Sequence, residues 1–105
     1  MIAMPVTYTL DNGAEIHREF PGTFQIPPQT DRESLRPGDL AKLIFRIEID
    51  DEAHVERMWV QVRDVTPEIY FGVLDNDPYC TEEIRSGMRV EFCADHVIQI
   101  EREVA

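Results

Sequence analysis

Residues 41–65 read AKLIFRIEIDDEAHVERMWVQVRDV, and this stretch decides the fold class. Apolar and polar residues alternate through its first half, as they do in a β-strand with one buried face. The acidic segment 50–54 predicts a polar turn, and the alternation resumes after it. Only Ile44 breaks the alternation. We therefore expect two paired strands whose inward-facing residues are Leu43, Phe45, Ile47, Ile49, Met58, Val60 and Val62.

Further strand-like segments follow at short intervals. They read IYFGVLD (69–75), MRVEFC (88–93) and HVIQIE (96–101). Closely spaced strands joined by short turns are typical of an antiparallel sheet that curls on itself. The pattern gives about seven strands and at most one or two helical turns. The sequence thus predicts a mainly β fold, α+β only through one short helical turn, in the form of a small antiparallel, SH3-like barrel or half-barrel.

The N-terminal part is expected to begin with a β-hairpin, because Asn12-Gly13 is the preferred pair for a type I′ turn. A segment rich in proline and glycine follows, with one short helical turn that Thr30 or Asp31 would cap. The chain is therefore expected to form one domain, 1–105, in three parts: a hairpin at 5–20, a connector at 21–38 and a barrel-like sheet at 39–105.

The charge balance limits the partners that the chain can take. Ten Lys and Arg oppose twenty-one Asp and Glu, which gives a net charge of −11. Such a field repels phosphate backbones, so nucleic acid is not an expected partner, and it favours a basic protein partner. The alternative is that acidity only maintains solubility. No apolar run has the length of a membrane span, and the start MIAMPVTYTL lacks the basic and then apolar pattern typical of a secretory signal, so we expect a cytoplasmic protein that does not bind membranes.

Several short pieces in the second half carry a family resemblance. They are Trp59-Val60, then Gly72, Leu74, Asn76 and Pro78, then Gly87, Val90 and Phe92, and finally Ile98. This order resembles the YegJ-like family of small, uncharacterised bacterial domains. Met88 departs from the pattern, which has Asp after the glycine. The resemblance implies no established activity and no catalytic residue. Some small bacterial domains of this general kind accompany toxins as immunity proteins, which supplies a hypothesis for the basic partner.

The stretch GVLDNDPYC (72–80) holds most of the candidate site. Its three polar residues resemble part of a calcium loop, but Pro78 follows where such a loop has Gly, so we expect a turn. Trp59 lies among polar positions of its strand and is either packed in a secondary cluster or an anchor for a partner. The predicted binding residues are Trp59, Asp75, Asn76, Asp77, Tyr79 and His96.

Enzymatic function is the less favoured alternative. The three histidines form no metal-binding motif, and no catalytic residue, metal site or cofactor is predicted. Cys80 and Cys93 make neither a disulfide framework nor a CxxC pair. A small hydrolase or thiol-dependent enzyme would have to bring Cys80 or His96 together with Asp75 or Asp77. The sequence leaves the oligomeric state and the identity of the ligand open.

Overall fold

The computed structural model describes residues 6–103. Within them the chain forms six strands, two short α-helices and one 3₁₀ turn. In chain order these elements are β1 (Thr7–Leu10), α1 (Gly13–Glu19), α2 (Gln29–Arg32), β2 (Leu40–Ile49), β3 (Glu52–Val65), β4 (Tyr70–Leu74), β5 (Arg89–Phe92), the 3₁₀ turn (Ala94–His96) and β6 (Gln99–Glu101).

The two longest strands, β2 and β3, form the central hairpin that the alternation predicts. Their pairing runs from Ile49 opposite Glu52 to Leu40 opposite Gln61. Only two residues make the turn, Asp50 and Asp51, with φ of 49° and 67°. Left-handed backbone is tolerated better by Asp than by most residues, and this conformation matches the twist of paired strands. The turn is thus shorter than the predicted segment 50–54.

The strands form one antiparallel sheet that curls into a half-barrel. The order is β1-β2-β3-β4-β5. The first and last strands share one edge of β2: β1 pairs with residues 45–48 and β6 pairs with residues 40–42. The predicted mainly β, antiparallel half-barrel is confirmed. A specific likeness to SH3 domains stays a prediction.

The core lies on the concave face of the sheet. Phe45 and Val60 are fully buried there, and Leu35 and Val97 close the core from the connecting segments. Ile44 points to the opposite face of β2 and is nevertheless only 4% exposed. Ala14 and Ile98 are likewise buried without belonging to the main cluster. Cover on the second face therefore explains the exception in the alternation.

The predicted N-terminal hairpin is wrong. Residue 5 lies outside the described residues, and 13–19 form a helix. Asn12 has extended backbone and its Oδ1 accepts a hydrogen bond from Glu15 N at 3.0 Å, so it caps α1. The partner of β1 is β2. Asn favours a helix N-cap as much as a tight turn, and the long-range pairing decides between them.

The connector also differs in detail from the prediction. Its helical turn, α2, begins after Pro28, so Thr30 and Asp31 lie inside the helix and cap nothing. Arg32 of α2 is buried, and it donates from Nε to Pro27 O and from Nη1 to Ala94 O, both at 3.0 Å. These bonds fasten the connector to the 3₁₀ turn.

Candidate functional site

The segment after β4, residues 75–80, will be called the 75–80 loop. Its first residues extend the pairing of β3 and β4 in a modified form. Asp75 N donates to Trp59 O at 2.9 Å, and Trp59 N donates to the side-chain oxygen of Asn76 at 2.6 Å. The amide of Asn76 therefore replaces a main-chain acceptor at the point where β4 ends. This is the local hydrogen bonding that Asn and Asp supply in turns.

The rest of the loop is held by two carboxylates. Asp77 accepts a hydrogen bond from Ser86 N at 2.8 Å. Glu56 on β3 accepts from Tyr79 N at 2.9 Å and from Cys80 N at 3.2 Å. The predicted turn is present, and its side-chain oxygens bind backbone N–H groups. Within residues 6–103 no three His, Cys, Asp or Glu side chains are grouped to hold a metal ion.

Tyr79 extends from this anchored backbone into solvent. Its exposure is 101%, whereas Pro78 beside it is buried. Asp75 and Asp77 are also exposed. A cavity of about 810 Å³ lies beside the loop, with Asp77, Tyr79 and Glu82 among its lining residues. The loop thus presents an aromatic ring and carboxylates from a fixed main chain.

Trp59 is half-buried on the side of β3 opposite the core. Lys42 Nζ lies 5.4 Å from the centroid of its ring, within the range of a cation–π interaction. The backbone of Trp59 contacts the 75–80 loop through the two hydrogen bonds above. The side chain therefore lies outside the main core, against Lys42, and part of it reaches solvent.

Cys80 is held in its neutral form. It packs at the edge of the core next to Glu56. Burial raises the pKa of the thiol to about 11, and the hydrogen bond and negative charge of Glu56 add to the effect. A thiolate nucleophile needs the opposite environment, a cation or a helix N-terminus.

His96 lies in the 3₁₀ turn and has other partners. Its Nδ1 accepts from Cys93 N at 3.0 Å and lies 3.6 Å from Cys93 Sγ. Burial lowers the pKa of His96, and the charge of Asp95 offsets this only in part. Among the described residues no hydrogen bond joins Cys80 or His96 to each other or to Asp75 or Asp77. The structure brings five predicted residues together, Trp59, Asp75, Asn76, Asp77 and Tyr79, and gives His96 a separate setting.

Glu56 is the residue that the sequence reasoning missed. It pairs with Phe45 and shares its face of the sheet, in the same parity as Met58 and Val60. Burial favours the neutral acid, but the N–H groups of Tyr79 and Cys80 outweigh it, so the pKa of Glu56 lies below its usual value. The sequence did contain a sign of this role, since Glu56 is an acid at a strand position where the alternation predicts an inward-facing apolar residue.

Comparison of the chain with protein-family models, curated proteins and solved structures gives no match. The resemblance to the YegJ-like family therefore stays a prediction. No helix among residues 6–103 is both long and apolar enough to cross a bilayer.

Proposed function

We propose that the protein is a non-enzymatic binding module whose 75–80 loop docks a basic protein partner in the cytoplasm. The observation that carries the proposal is Tyr79, whose side chain is fully exposed on a loop fixed by side-chain hydrogen bonds. Tyrosine supplies a large, amphipathic contact area with few rotatable bonds, and it is enriched among the residues that dominate binding energy.

Rigidity of the loop supports this reading. Asn76, Asp77 and Glu56 together bind four backbone N–H groups, those of Trp59, Ser86, Tyr79 and Cys80. A loop that is ordered before association loses less conformational entropy when a partner binds. Exposed aromatics on mobile segments lack this advantage.

The charge around Tyr79 supports a basic partner. Residues 75–84 contain four acids, Asp75, Asp77, Glu82 and Glu83, and no Lys or Arg. Carboxylates around an exposed aromatic ring favour Lys and Arg side chains, through ion pairs at the rim and cation–π contact with the ring. The net charge of −11 steers a basic protein toward the surface. A basic toxin neutralised in the manner of an immunity protein fits this chemistry.

The enzymatic alternative has less support. Cys80 is bound to a carboxylate that suppresses its ionisation, and His96 binds Cys93. Among residues 6–103 no histidine is hydrogen-bonded to Cys80. Although His96 Nδ1 lies 3.6 Å from Cys93 Sγ, that nitrogen accepts from Cys93 N, and no third side chain among residues 6–103 is hydrogen-bonded to the ring, as a catalytic triad requires.

The test compares matched variants in binding a captured partner. Immobilised protein is exposed at low salt to lysate of the source cells, a captured basic protein is purified, and its Kd is measured by calorimetry. Tyr79→Ala should weaken binding about tenfold or more, as expected of a central aromatic contact. The double substitution Asp75→Asn, Asp77→Asn should raise the Kd by a larger factor at low salt than at high salt, because salt screens the charges that it removes.

Control variants carry the same kinds of substitution outside the 75–80 loop. Phe20→Ala removes another exposed aromatic side chain, and Glu19→Gln with Glu68→Gln removes two exposed acids outside the loop, one in α1 and one in the turn at the opposite end of β4. These variants should bind as the wild type does. Failure to capture any basic protein at low salt, or equal binding by all variants, would overturn the proposal.

A further inference from the structure

The side of the sheet opposite the core has an unusual composition for this acidic chain. Side chains that alternate with the buried residues of β2 to β5 point outward there. We call the outer face the surface formed by Lys42, Arg57, Trp59, Arg63, Phe71 and Arg89. Three acids of β2 to β5 point to the same side, Glu48, Asp64 and Glu91, against five cations, the four named above and Arg46, so cations outnumber acids on this one surface of a molecule with a net charge of −11.

Three arginines of the outer face are exposed and free of ion pairs. Arg57, Arg63 and Arg89 make no salt bridge and no side-chain hydrogen bond with any residue from 6 to 103. By contrast, Arg46 binds Asp11 at 2.8 Å and Arg102 binds Asp39 at 3.0 Å, while Arg18 and Arg36 are exposed on other parts of the surface. With twenty-one acids in the sequence, unpaired guanidinium groups on one surface leave carboxylate-binding capacity unused.

Aromatic rings lie against three cations of the outer face, Arg89, Arg57 and Lys42. The guanidinium carbon of Arg89 lies 4.6 Å from the centroid of Phe71, and that of Arg57 lies 5.6 Å from the centroid of Phe24. Lys42 covers Trp59 at 5.4 Å in the same way. A stacked guanidinium has lost part of its rotamer freedom already, while its N–H donors stay free to bind carboxylates in pairs.

We propose that the outer face docks an acidic segment of a partner protein, with Arg57, Arg63 and Arg89 binding its carboxylates. A short acidic segment can place its few charges on the arginines alone. A nucleic-acid strand carries charge along its whole length, so it would also meet the acids that dominate the rest of the surface. The rings also face cations of this chain, which leaves less ring surface for stacked bases.

This inference does not rest on the proposed function: the outer face adjoins the 75–80 loop at Trp59, but its binding groups are arginines and its partner has the opposite charge. Trp59 is the single tryptophan of the chain and lies within the outer face. Its fluorescence therefore reports binding without a label. Hexaglutamate peptide is titrated at low salt, and calorimetry measures the same interaction. A saturable change in emission is expected, with an apparent Kd that rises with salt concentration.

Two pairs of substitutions locate the binding. Arg63→Gln with Arg89→Gln should weaken hexaglutamate binding about tenfold or more, because two charge-assisted hydrogen-bonding groups are lost. Arg18→Gln with Arg36→Gln removes two exposed arginines elsewhere and should leave the Kd unchanged. Equal urea midpoints for all variants show that folding is intact. Tyr79→Ala should bind the peptide as the wild type does, which separates this surface from the 75–80 loop.

Three results would overturn the proposal. The first is absence of both an emission change and a heat of binding at low salt. The second is an equal loss in the Arg18→Gln, Arg36→Gln control. The third is tighter binding of octadeoxythymidylate than of hexaglutamate, which would assign the outer face to single-stranded nucleic acid.

Discussion

Glu56 occupies an inward-facing position of β3, where an alternating strand usually has an apolar side chain. Its carboxylate is covered by the 75–80 loop and bound by the N–H groups of Tyr79 and Cys80. Those donors stabilise the anion, so the pKa of Glu56 falls despite burial. The anion then disfavours a second negative charge on the adjacent sulfur. One carboxylate therefore fixes the loop and adds to the burial that keeps Cys80 protonated.

The thiol of Cys80 should be unreactive near neutral pH. In a Cys93→Ser background, the rate of alkylation by iodoacetamide should rise with a midpoint at about pH 11, the pKa of the buried thiol. Glu56→Gln should move this midpoint toward the ordinary value of a cysteine, because the charge beside the sulfur is removed. Identical pH profiles for the two proteins would contradict the role given to Glu56.

The elements differ in how far the sequence could predict them. Alternation over 41–62 indicates β2 and β3, because successive side chains of a strand point to opposite faces and a long hairpin repeats this pattern many times. α1 has only seven residues, too few for a helical period, and its sequence alternates as well as a strand would. The pairing of β1 with β2 joins residues 35 to 41 positions apart, and no local pattern encodes it.

The candidate site was predictable to a similar extent. The turn at Asp75, Asn76 and Asp77 follows from side chains that bind nearby backbone, which is a local property. The role of Glu56 depends on a loop that begins some twenty residues later and folds over β3. The outer face depends on the register of four strands, so its cations gather only when the sheet is formed.

Replacement of the cap of α1 tests the corrected N-terminal element. Asn12→Ala should lower the free energy of unfolding by about 1 kcal/mol, because Glu15 N loses its acceptor. Asn12→Asp keeps an acceptor oxygen at a helix N-terminus and should remain close to the wild type. Urea unfolding measures both variants. An equal loss for the two would show that capping is not the role of this side chain.

At the scale of the whole molecule, Asp39 connects the segment before β2 with the segment after β6. It is 3% exposed and lies just before β2. Its carboxylate accepts from Arg36 N at 2.9 Å, from Glu103 N at 3.0 Å and from Arg102 Nη1 at 3.0 Å. Burial favours the neutral acid, but these donors outweigh it and hold the pKa of Asp39 below its usual value. The connector and the segment after β6 are thereby fastened at one point.

Lowered carboxyl pKa values predict acid sensitivity. Asp39 and Glu56 stabilise the fold fully above the pKa values of the unfolded chain, about 4, and this stability is lost as the pH falls through the lower folded values. Asp39→Asn should lower the free energy of unfolding by about 1–3 kcal/mol near neutral pH, because an anion with several donors is replaced by a neutral amide.

Urea unfolding at two pH values checks this expectation. The difference in free energy of unfolding between the wild type and Asp39→Asn should become smaller in acid, because the wild-type carboxyl group is then protonated and neutral like the amide. Asp31→Asn is the control, because Asp31 is exposed and its contact with Arg102 is long, at 3.9 Å. A difference for Asp39→Asn that is the same at both pH values would contradict the assignment.

The placement of β1 and β6 end to end on one edge of β2 has a mechanical consequence. Thr7 lies beside Glu48 and Glu101 lies beside Leu40, so the two outer ends point in opposite directions along β2. A stretching force applied through Thr7 and Glu101 would pull both strands parallel to their axes. The interstrand hydrogen bonds are perpendicular to that axis and would be loaded together in shear. The half-barrel is thus built to resist tension along β2 better than peeling from its open edge at β5.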